Sequence, residues 1–463
     1  MISLLLNEIS LPNRTERLNR LSINMEKTPE QDPAQPVELA GVAGKILLAS
    51  ASPRRRAMLA GAGVPLVIQP VDLDESQHEG EAPLDYVRRL AVAKARAGWR
   101  RRGEGGPSWS LGSDTIVVLD GGLLHKPESV EEATKTLQAL SGRTHHVVTA
   151  WGIVGPEGEV ARAGHVKTAV TFKTLEAAQI ETYVATGEPM DKAGAYGIQG
   201  KAGDFVQTID GSYAAIVGLP LAEVLADLEA VGAVRFAGGD IGRQWAVIQG
   251  RVRAAAEGVG RDPEDVTVVA VSKRQPEAKV KAALSLGIDH LGENYVQAWR
   301  ERVERLGDGP TWHFIGRLQR NKAKYLGAHV GYVHAIDDLR VAEALGKSAQ
   351  SAGRVLPVMV QVNLSGEASK GGVTEAALPA LLSEIEGCTG VAAVGLMTMP
   401  APGDLAATRR AFRRLRALRT EHQQRWPDLT HLSMGMSGDF DVAIAEGATF
   451  VRVGSLLFGQ RAG

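Results

Sequence analysis

The order of apolar and polar positions divides this chain of 463 residues in two. Up to residue 43 it carries Pro, Gln, Glu and Asn without sustained periodicity, which reads as a flexible extension over 1–43, with Met25 as an alternative start to Met1. Order begins with an apolar strand at 45–50. The next residues, Ser52 and Pro53, fit the N-cap and first position of a helix through Ala57, Met58 and Leu59, because proline's missing N–H costs nothing there. A second helix, about 84–101, has its inward stripe at Leu84, Val87, Leu90 and Ala91, and Lys94 continues that stripe. Asp114 is expected just before a buried strand run. Ser129 and Glu132 open a further helix, with Ala133, Leu137 and Leu140 inward. His145 and His146 are adjacent in an extended run, face opposite ways and cannot share one metal. A helical pattern at 219–228 closes this first unit.

A glycine-rich seam follows at 230–239, with 233–238 read as a linker between units at 44–232 and 239–463 that fold independently. After a helix starting near Ile241, strand-like runs recur at 266–271, 290–291, 312–315, 332–336, 356–363, 391–397, 431–434 and 450–453. Helical segments such as 277–286, 295–306, 339–351 and 405–424 follow them. Eight strand–helix units predict a (β/α)8 barrel of the TIM type, so the fold class is α/β throughout. The arginine-rich helix (Arg409, Arg410, Arg413, Arg414, Arg416, Arg419) reads as a solvated outer face, with a nucleic-acid patch as runner-up.

Composition narrows the function classes. An apolar fraction of 44% with 23% charged residues is ordinary for a soluble globular chain, and the net charge of −1 leaves no footprint for nucleic acid or an acidic membrane. Cys388 is the single cysteine, which excludes an internal disulfide and a thiolate cluster. No apolar run reaches the length of a bilayer span, and the first residues lack a basic n-region, so a cytoplasmic location is expected.

Candidate chemistry sits in both units. In the first, a helix N-terminus beside Arg54, Arg55 and Arg56 suits a phosphate chain, or is a plain capped helix with a solvated first turn. Lys94 either snorkels or reaches into a cleft. Asp114 is a turn or cap residue, or else a base or metal ligand. In the second, the unusual residues fall at the carboxyl ends of strands, where barrels keep their chemistry: Lys273, Glu293, Asn294, Asn363 and Met397. Small-residue loops at 434–439 and 452–455 occupy the usual phosphate position. A lysine ending strand one opposite a phosphate cup fits pyridoxal phosphate, the alternative being a surface lysine and ordinary loops.

The first unit resembles the Maf-type nucleoside triphosphate pyrophosphatases. The motifs are Leu48-Ala49-Ser50-Ala51-Ser52-Pro53-Arg54-Arg55, Gly112-Ser113-Asp114-Thr115, Lys126-Pro127, Leu140-Ser141-Gly142-Arg143 and 191–200, which ends in Tyr196-Gly197-Ile198-Gln199-Gly200. The resemblance implies hydrolysis of a triphosphate to monophosphate and pyrophosphate with a divalent cation (Mg or Mn), the last motif resembling the dTTP/UTP branch. It implies Asp114 as proton acceptor and Lys94 and Glu75 as polar residues of the cleft; in-line attack needs cations over the phosphates, and carboxylates such as Glu75 and Asp114 would hold the metal, the ligand set staying open. Arg54, Thr115 and Gln199 would select the base, while Ser52, Arg55 and Lys126 match further substrate positions. A homodimer through this unit is compatible with it. Ser113 and His125 depart from the family's common Ala and Gly.

The second unit resembles the pyridoxal phosphate homeostasis proteins, relatives of the alanine racemase barrel. Its motifs are Ala270-Val271-Ser272-Lys273, Gly292-Glu293-Asn294-Tyr295, 313–322, Met434-Gly435-Met436-Ser437 and Arg452-Val453-Gly454. By that resemblance Lys273 holds the cofactor, Ser437, Gly454 and Ser455 its phosphate, Asn294 lines the pocket and Arg452 faces the ring nitrogen. The expectation is a bifunctional chain whose barrel is a carrier or regulator that binds the cofactor without turnover, also because no second domain follows it to supply an opposite acid or base. The rival reading joins a non-catalytic nucleotide-binding division regulator to a pyridoxal phosphate-dependent racemase or lyase.

Overall fold

A computed structural model describes residues 44–307, 309–365 and 371–460, so the extension expected over 1–43 lies outside the described residues. In the first unit β1 (Ile46–Leu48) leads into α1 (Pro53–Gly61) and β2 (Leu66–Ile68). Ser52 caps α1, its hydroxyl accepting the Arg55 N–H at 3.4 Å, and Pro53 opens the helix. Then come α2 (Pro83–Arg100), β3 (Trp109–Leu119), β4 (Gly122–Leu124), α3 (Val130–Leu140) and the hairpin of β5 (Thr144–Val154) with β6 (Val160–Phe172). α4 (Ala177–Val184) and short 3-10 turns lead to β7 (Val206–Asp210), α5 (Tyr213–Val217) and α6 (Leu221–Ala230). The sheet runs β2-β1-β3-β5-β6-β7, with β4 on β3; β1 is parallel to β2 and β3, and the other pairs are antiparallel.

Two details of this sheet place the chemistry. Asp114 lies inside β3 rather than before a strand, because residues 110–113 are themselves buried and pair with β5, and Ser110 and Leu111 also pair with β1. Glycines let α2 ride close on the sheet. A Cβ on Gly112 would lie 3.0 Å from the Ala95 Cα, and one on Gly152 would lie 3.0 Å from the Val92 Cα. That approach brings the Lys94 turn of α2 over Asp114.

The connection at 233–238 is packed, with Ala233, Val234 and Phe236 buried. It feeds α7 (Asp240–Glu257), a helix with two apolar faces. Ala246, Val247 and Ala254 join the first unit's core, while Ile241, Trp245, Ile248 and Val252 join that of the second. The α1–α7 crossing is glycine to glycine: a Cβ on Gly61 would lie 2.9 Å from the Gly250 Cα, and one on Gly250 would lie 3.2 Å from the Met58 carbonyl carbon of α1.

The alternation beyond α7 closes into the expected barrel. In order it comprises β8 (Thr267–Val271), α8 (Glu277–Ser285), β9 (His290–Glu293), α9 (Val296–Leu306), β10 (Thr311–Phe314), α10 (Arg320–Ala323), β11 (Tyr332–Ile336) and α11 (Leu339–Ser351). It continues through β12 (Leu356–Gln361), α12 (Leu378–Gly387), β13 (Val391–Met397), α13 (Leu405–Gln423), β14 (His431–Met436), α14 (Phe440–Ala445), β15 (Phe450–Val453) and α15 (Ser455–Phe458). All eight strands are parallel, and β15 pairs with β8. Two expectations are corrected. Met397 fills the barrel interior with Val269, Ala335, Met359 and Phe450 instead of reaching the mouth. The arginine-rich α13 is not simply a solvated face, since Arg409 is 3% exposed and turned toward the first unit.

Candidate active site and cofactor pocket

A cavity of about 940 Å³ opens at the carboxyl end of β1, between α1, β3 and the 196–200 segment. At its floor Lys94 is 9% exposed, and its amine donates to Asp114 Oδ1 at 2.7 Å and pairs with Glu75 at 2.6 Å. Of the two readings open for Lys94, the cleft is where it lies. The Tyr86 hydroxyl donates to the Glu75 carbonyl at 2.7 Å and steadies that loop. Arg55 crosses the cavity base, donating to the Gly218 carbonyl at 2.8 Å, Ser50 Oγ at 3.1 Å and Thr115 Oγ1 at 3.2 Å. Burial lowers its pKa, while Asp114 opposes that shift. Arg54 donates to the Val217 carbonyl at 3.2 Å, and Thr115 shares a hydrogen bond with Thr149 at 2.9 Å. Ser52, Lys126 and Gln199 also line the cavity. Ser52, Arg54, Arg55, Glu75, Lys94, Asp114, Thr115, Lys126 and Gln199 are therefore brought together, whereas Arg56 is exposed and does not line the cavity. Among the described residues no group of three His, Cys, Asp or Glu side chains is placed to hold a metal; Glu75 and Asp114 converge on the Lys94 ammonium.

A second cavity, about 330 Å³, lies at the barrel mouth and is lined by Lys273, Asn294, Ser437, Arg452, Gly454 and Ser455. Lys273 stands in the turn after β8, where Arg274 takes a left-handed φ of 57°. Beneath that turn the fully buried Glu293 accepts from Ser272 at 2.8 Å and pairs with Arg302 at 2.8 Å. Arg302 in turn donates to the Ser272 and Gln275 carbonyls at 3.0 and 2.7 Å. Glu293 thus braces the lysine turn without lining the cavity. Burial pushes its pKa up, against Ser272 and Arg302. Ser437 Oγ accepts the Gly454 N–H at 3.3 Å, and Asn294 Oδ1 is buried without a partner. Asn363 does not line this cavity; Met399 does.

Arg452 ends a chain of hydrogen bonds through the barrel interior. Its guanidinium donates to Ser433 Oγ at 2.6 Å and to the Thr398 carbonyl at 3.2 Å. Ser433 contacts His334 at 2.7 Å, His334 contacts His313 at 2.8 Å, and His313 contacts His290 at 2.9 Å. Arg452 offers donors only, so Ser433 Oγ accepts there, and its role toward His334 Nδ1 follows the tautomer of that ring. Burial brings the Arg452 pKa down to about 10, against the pull of Asp439, and holds His313 and His334 well below the usual imidazole value. Their signal in the sequence is a histidine amid otherwise apolar strand residues, at 313 and 334.

The family pattern described as Maf-like protein matches residues 45–231, and that described as alanine racemase, N-terminal domain, matches residues 248–462. A dTTP/UTP pyrophosphatase of Yersinia pestis is 50% identical over 178 residues, covering 38% of this chain and 88% of that protein. One of Geobacter sulfurreducens is 48% identical over 191 residues, covering 41% and 98%. A pyridoxal phosphate homeostasis protein of Pseudomonas aeruginosa is 42% identical over 223 residues, covering 48% and 96%. The chain belongs to both families. A solved structure, PipY of Synechococcus elongatus PCC7942 with PLP bound, is 37% identical with a TM-score of 0.40, over 45% of this chain and 100% of that one.

The Maf-like unit and the racemase-like barrel are not separate at the first cavity. Gly258, just past α7, lines it, and Gln199 Nε2 donates to the Ala254 carbonyl of α7 at 3.1 Å. Neither Gly258 nor Arg409 was singled out from the sequence as a site residue. Local periodicity carries no signal for a contact between units. No helix among the described residues is long and apolar enough to cross a membrane.

Proposed function

We propose that the Maf-like unit hydrolyses nucleoside triphosphates, dTTP and UTP foremost, to monophosphate and pyrophosphate, and that the barrel binds pyridoxal phosphate without turnover. The observation that carries the first half is Lys94, buried under the cavity between Asp114 at 2.7 Å and Glu75 at 2.6 Å. In this reading Asp114 takes the proton of the attacking water on Oδ2, because Oδ1 already accepts from Lys94. The new oxygen–phosphorus bond forms as the bond to pyrophosphate breaks, and Arg54, Arg55 and Lys126 meet the charge on the phosphates. Mg or Mn would be held by Glu75 and Asp114 beside the Lys94 ammonium that bridges them, with substrate oxygens and waters completing the shell. The cation would neutralise phosphate charge. Pyrophosphate release from a panel of triphosphates with magnesium tests this. Release from UTP and dTTP ahead of ATP and GTP is expected, and none from any of them would refute it.

For the barrel, the unpartnered Asn294 Oδ1 and the Ser437–Gly454 cup support a phosphate-bearing cofactor, with Lys273 supplying the amine that joins it. Pyridoxal phosphate, when bound, supplies an electrophilic aldehyde and an electron-withdrawing ring. Arg452 can donate to a ring nitrogen but cannot accept a proton from one, so it favours the weaker, unprotonated ring. That supports a carrier over a racemase. Racemisation of alanine by the purified chain should stay at background; turnover that disappears in Lys273→Ala would overturn the carrier reading.

A further inference from the structure

The 196–205 segment carries Gln199 and walls the first cavity. Its own unit anchors both ends: the Tyr196 hydroxyl shares a hydrogen bond with His145 at 2.8 Å, the Phe205 carbonyl accepts the Lys173 N–H at 2.9 Å, and Tyr196, Ile198, Ala202 and Phe205 are buried in the first core. The Gly197 N–H on the Tyr183 hydroxyl and the Lys201 N–H on Glu188, both at 3.2 Å, add to this. The barrel unit grips the backbone between those anchors. Arg409 of α13 donates Nη1 to the Gly200 carbonyl at 3.1 Å and Nη2 to the Ile198 carbonyl at 3.3 Å, so one planar fork grips the residues on either side of Gln199. Behind it Glu446, 5% exposed, lies 3.9 Å from Arg409 Nε and accepts from Arg413 at 2.9 Å. Arg413 returns to the same segment through Asp204 at 2.9 and 3.1 Å. A Cβ on Gly203 would lie 2.6 Å from Arg409 Nη2, so the two units meet there with no room to spare.

The Gln199 amide is oriented by the same unit. The Ala254 carbonyl only accepts, so the end of Gln199 that meets it at 3.1 Å must be the NH₂, which leaves Oε1 as the atom offered to the cavity. We infer that the barrel unit sets the base specificity of the Maf-like unit. Arg409 is the positioning residue for the Gln199 segment, and the Ala254 carbonyl locks Gln199 to present an acceptor. An acceptor set against N3 of the base selects uracil and thymine, whose N3 carries a hydrogen, over cytosine, whose N3 is an acceptor and whose donor is the N4 amine beside it. The inference rests on the nucleotide-hydrolysing reading and assigns part of its site to the other unit.

The test uses the full chain loaded with pyridoxal phosphate. Arg409→Met should raise the KM for UTP about tenfold, the worth of roughly one hydrogen bond to a charged donor, with kcat within about twofold. The preference for UTP over CTP in kcat/KM should fall by a similar factor. A merely less folded protein would lower both substrates equally and leave the ratio unmoved. Amide exchange over 196–205 should quicken while exchange in the barrel strands stays unchanged. Unaltered KM, selectivity and exchange in a folded Arg409→Met would overturn the inference. If Arg409→Met does not fold, Arg409→Lys carries the same test, because it keeps the charge beside Glu446 but loses the fork; wild-type selectivity and exchange would again overturn it. A wild-type chain that hydrolyses no triphosphate refutes the hydrolase reading instead, and the exchange comparison still decides whether Arg409 positions the segment.

Discussion

Asp114→Asn separates chemistry from binding in the first cavity more cleanly than any other single change. The substitution keeps the shape of the side chain inside β3 and removes its charge and basicity. The Asp114 and Lys94 side chains are both largely buried, so removing the carboxylate could have stranded a buried ammonium. It does not, because Glu75 remains 2.6 Å from the same amine. The stability change should therefore stay near 1 kcal/mol, the scale of one net hydrogen bond, rather than the several kcal/mol of an orphaned charge. Loss of a general base costs about 10²–10⁴ in rate, or about 3–5 kcal/mol of barrier. The KM should move little, since Arg54, Arg55 and Gln199 are untouched. Pyrophosphate release at saturating UTP, beside calorimetric titration with a non-hydrolysable UTP analogue, reads both quantities. Turnover by Asp114→Asn within about threefold of wild type would refute Asp114 as the base. Strong loss of analogue binding would show that the carboxylate acts mainly in holding substrate.

Three further outcomes are expected. Borohydride treatment of the purified chain should fix pyridoxal to Lys273, read by peptide mapping, and Lys273→Ala should lose the visible absorption of the lysine-bound cofactor; label on another lysine would contradict the pocket assignment. The buried imidazoles of His313 and His334 lie well below their ordinary value of 6.5 in the folded chain, so the unfolded chain binds protons first as pH falls. Their stabilising contribution is complete above about pH 6.5 and declines below it; melting temperatures from pH 8 to 5 should show this, and His313→Gln should flatten the slope, an equal slope refuting the assignment. Gly250→Ala should overpack the α1–α7 crossing by about 1–3 kcal/mol, lowering the melting temperature and raising the KM for UTP, because α1 carries Arg54 and Arg55. An unchanged melt would mean that the crossing has slack.

Much of the architecture was written in local pattern. Alternation of short apolar runs with amphipathic helices specified the barrel, and β11, α11, β13 and β15 fall on the predicted residues, because a strand or helix face is a property of consecutive side chains. The N-cap at Ser52 is equally local. The cavity residues were legible as motifs, but their partners were not. Whether Lys94 snorkelled or entered a cleft depended on how closely α2 rides on Gly112 and Gly152, which only packing decides. The strand around Asp114 was misjudged at its start because pairing with β5, rather than its own apolar pattern, makes 110–113 part of it. The apolar positions of α7 announced a helix without saying that its two faces enter different cores. In α13 a run of arginines has the composition of a solvated surface, yet Arg409 sits buried against the Ile198 and Gly200 carbonyls, contacts 211 and 209 residues away in the chain. Periodicity reports which side of an element is dry. What lies on that side is settled by the geometry of the whole chain, since the contact free energy depends on partners that no local window contains.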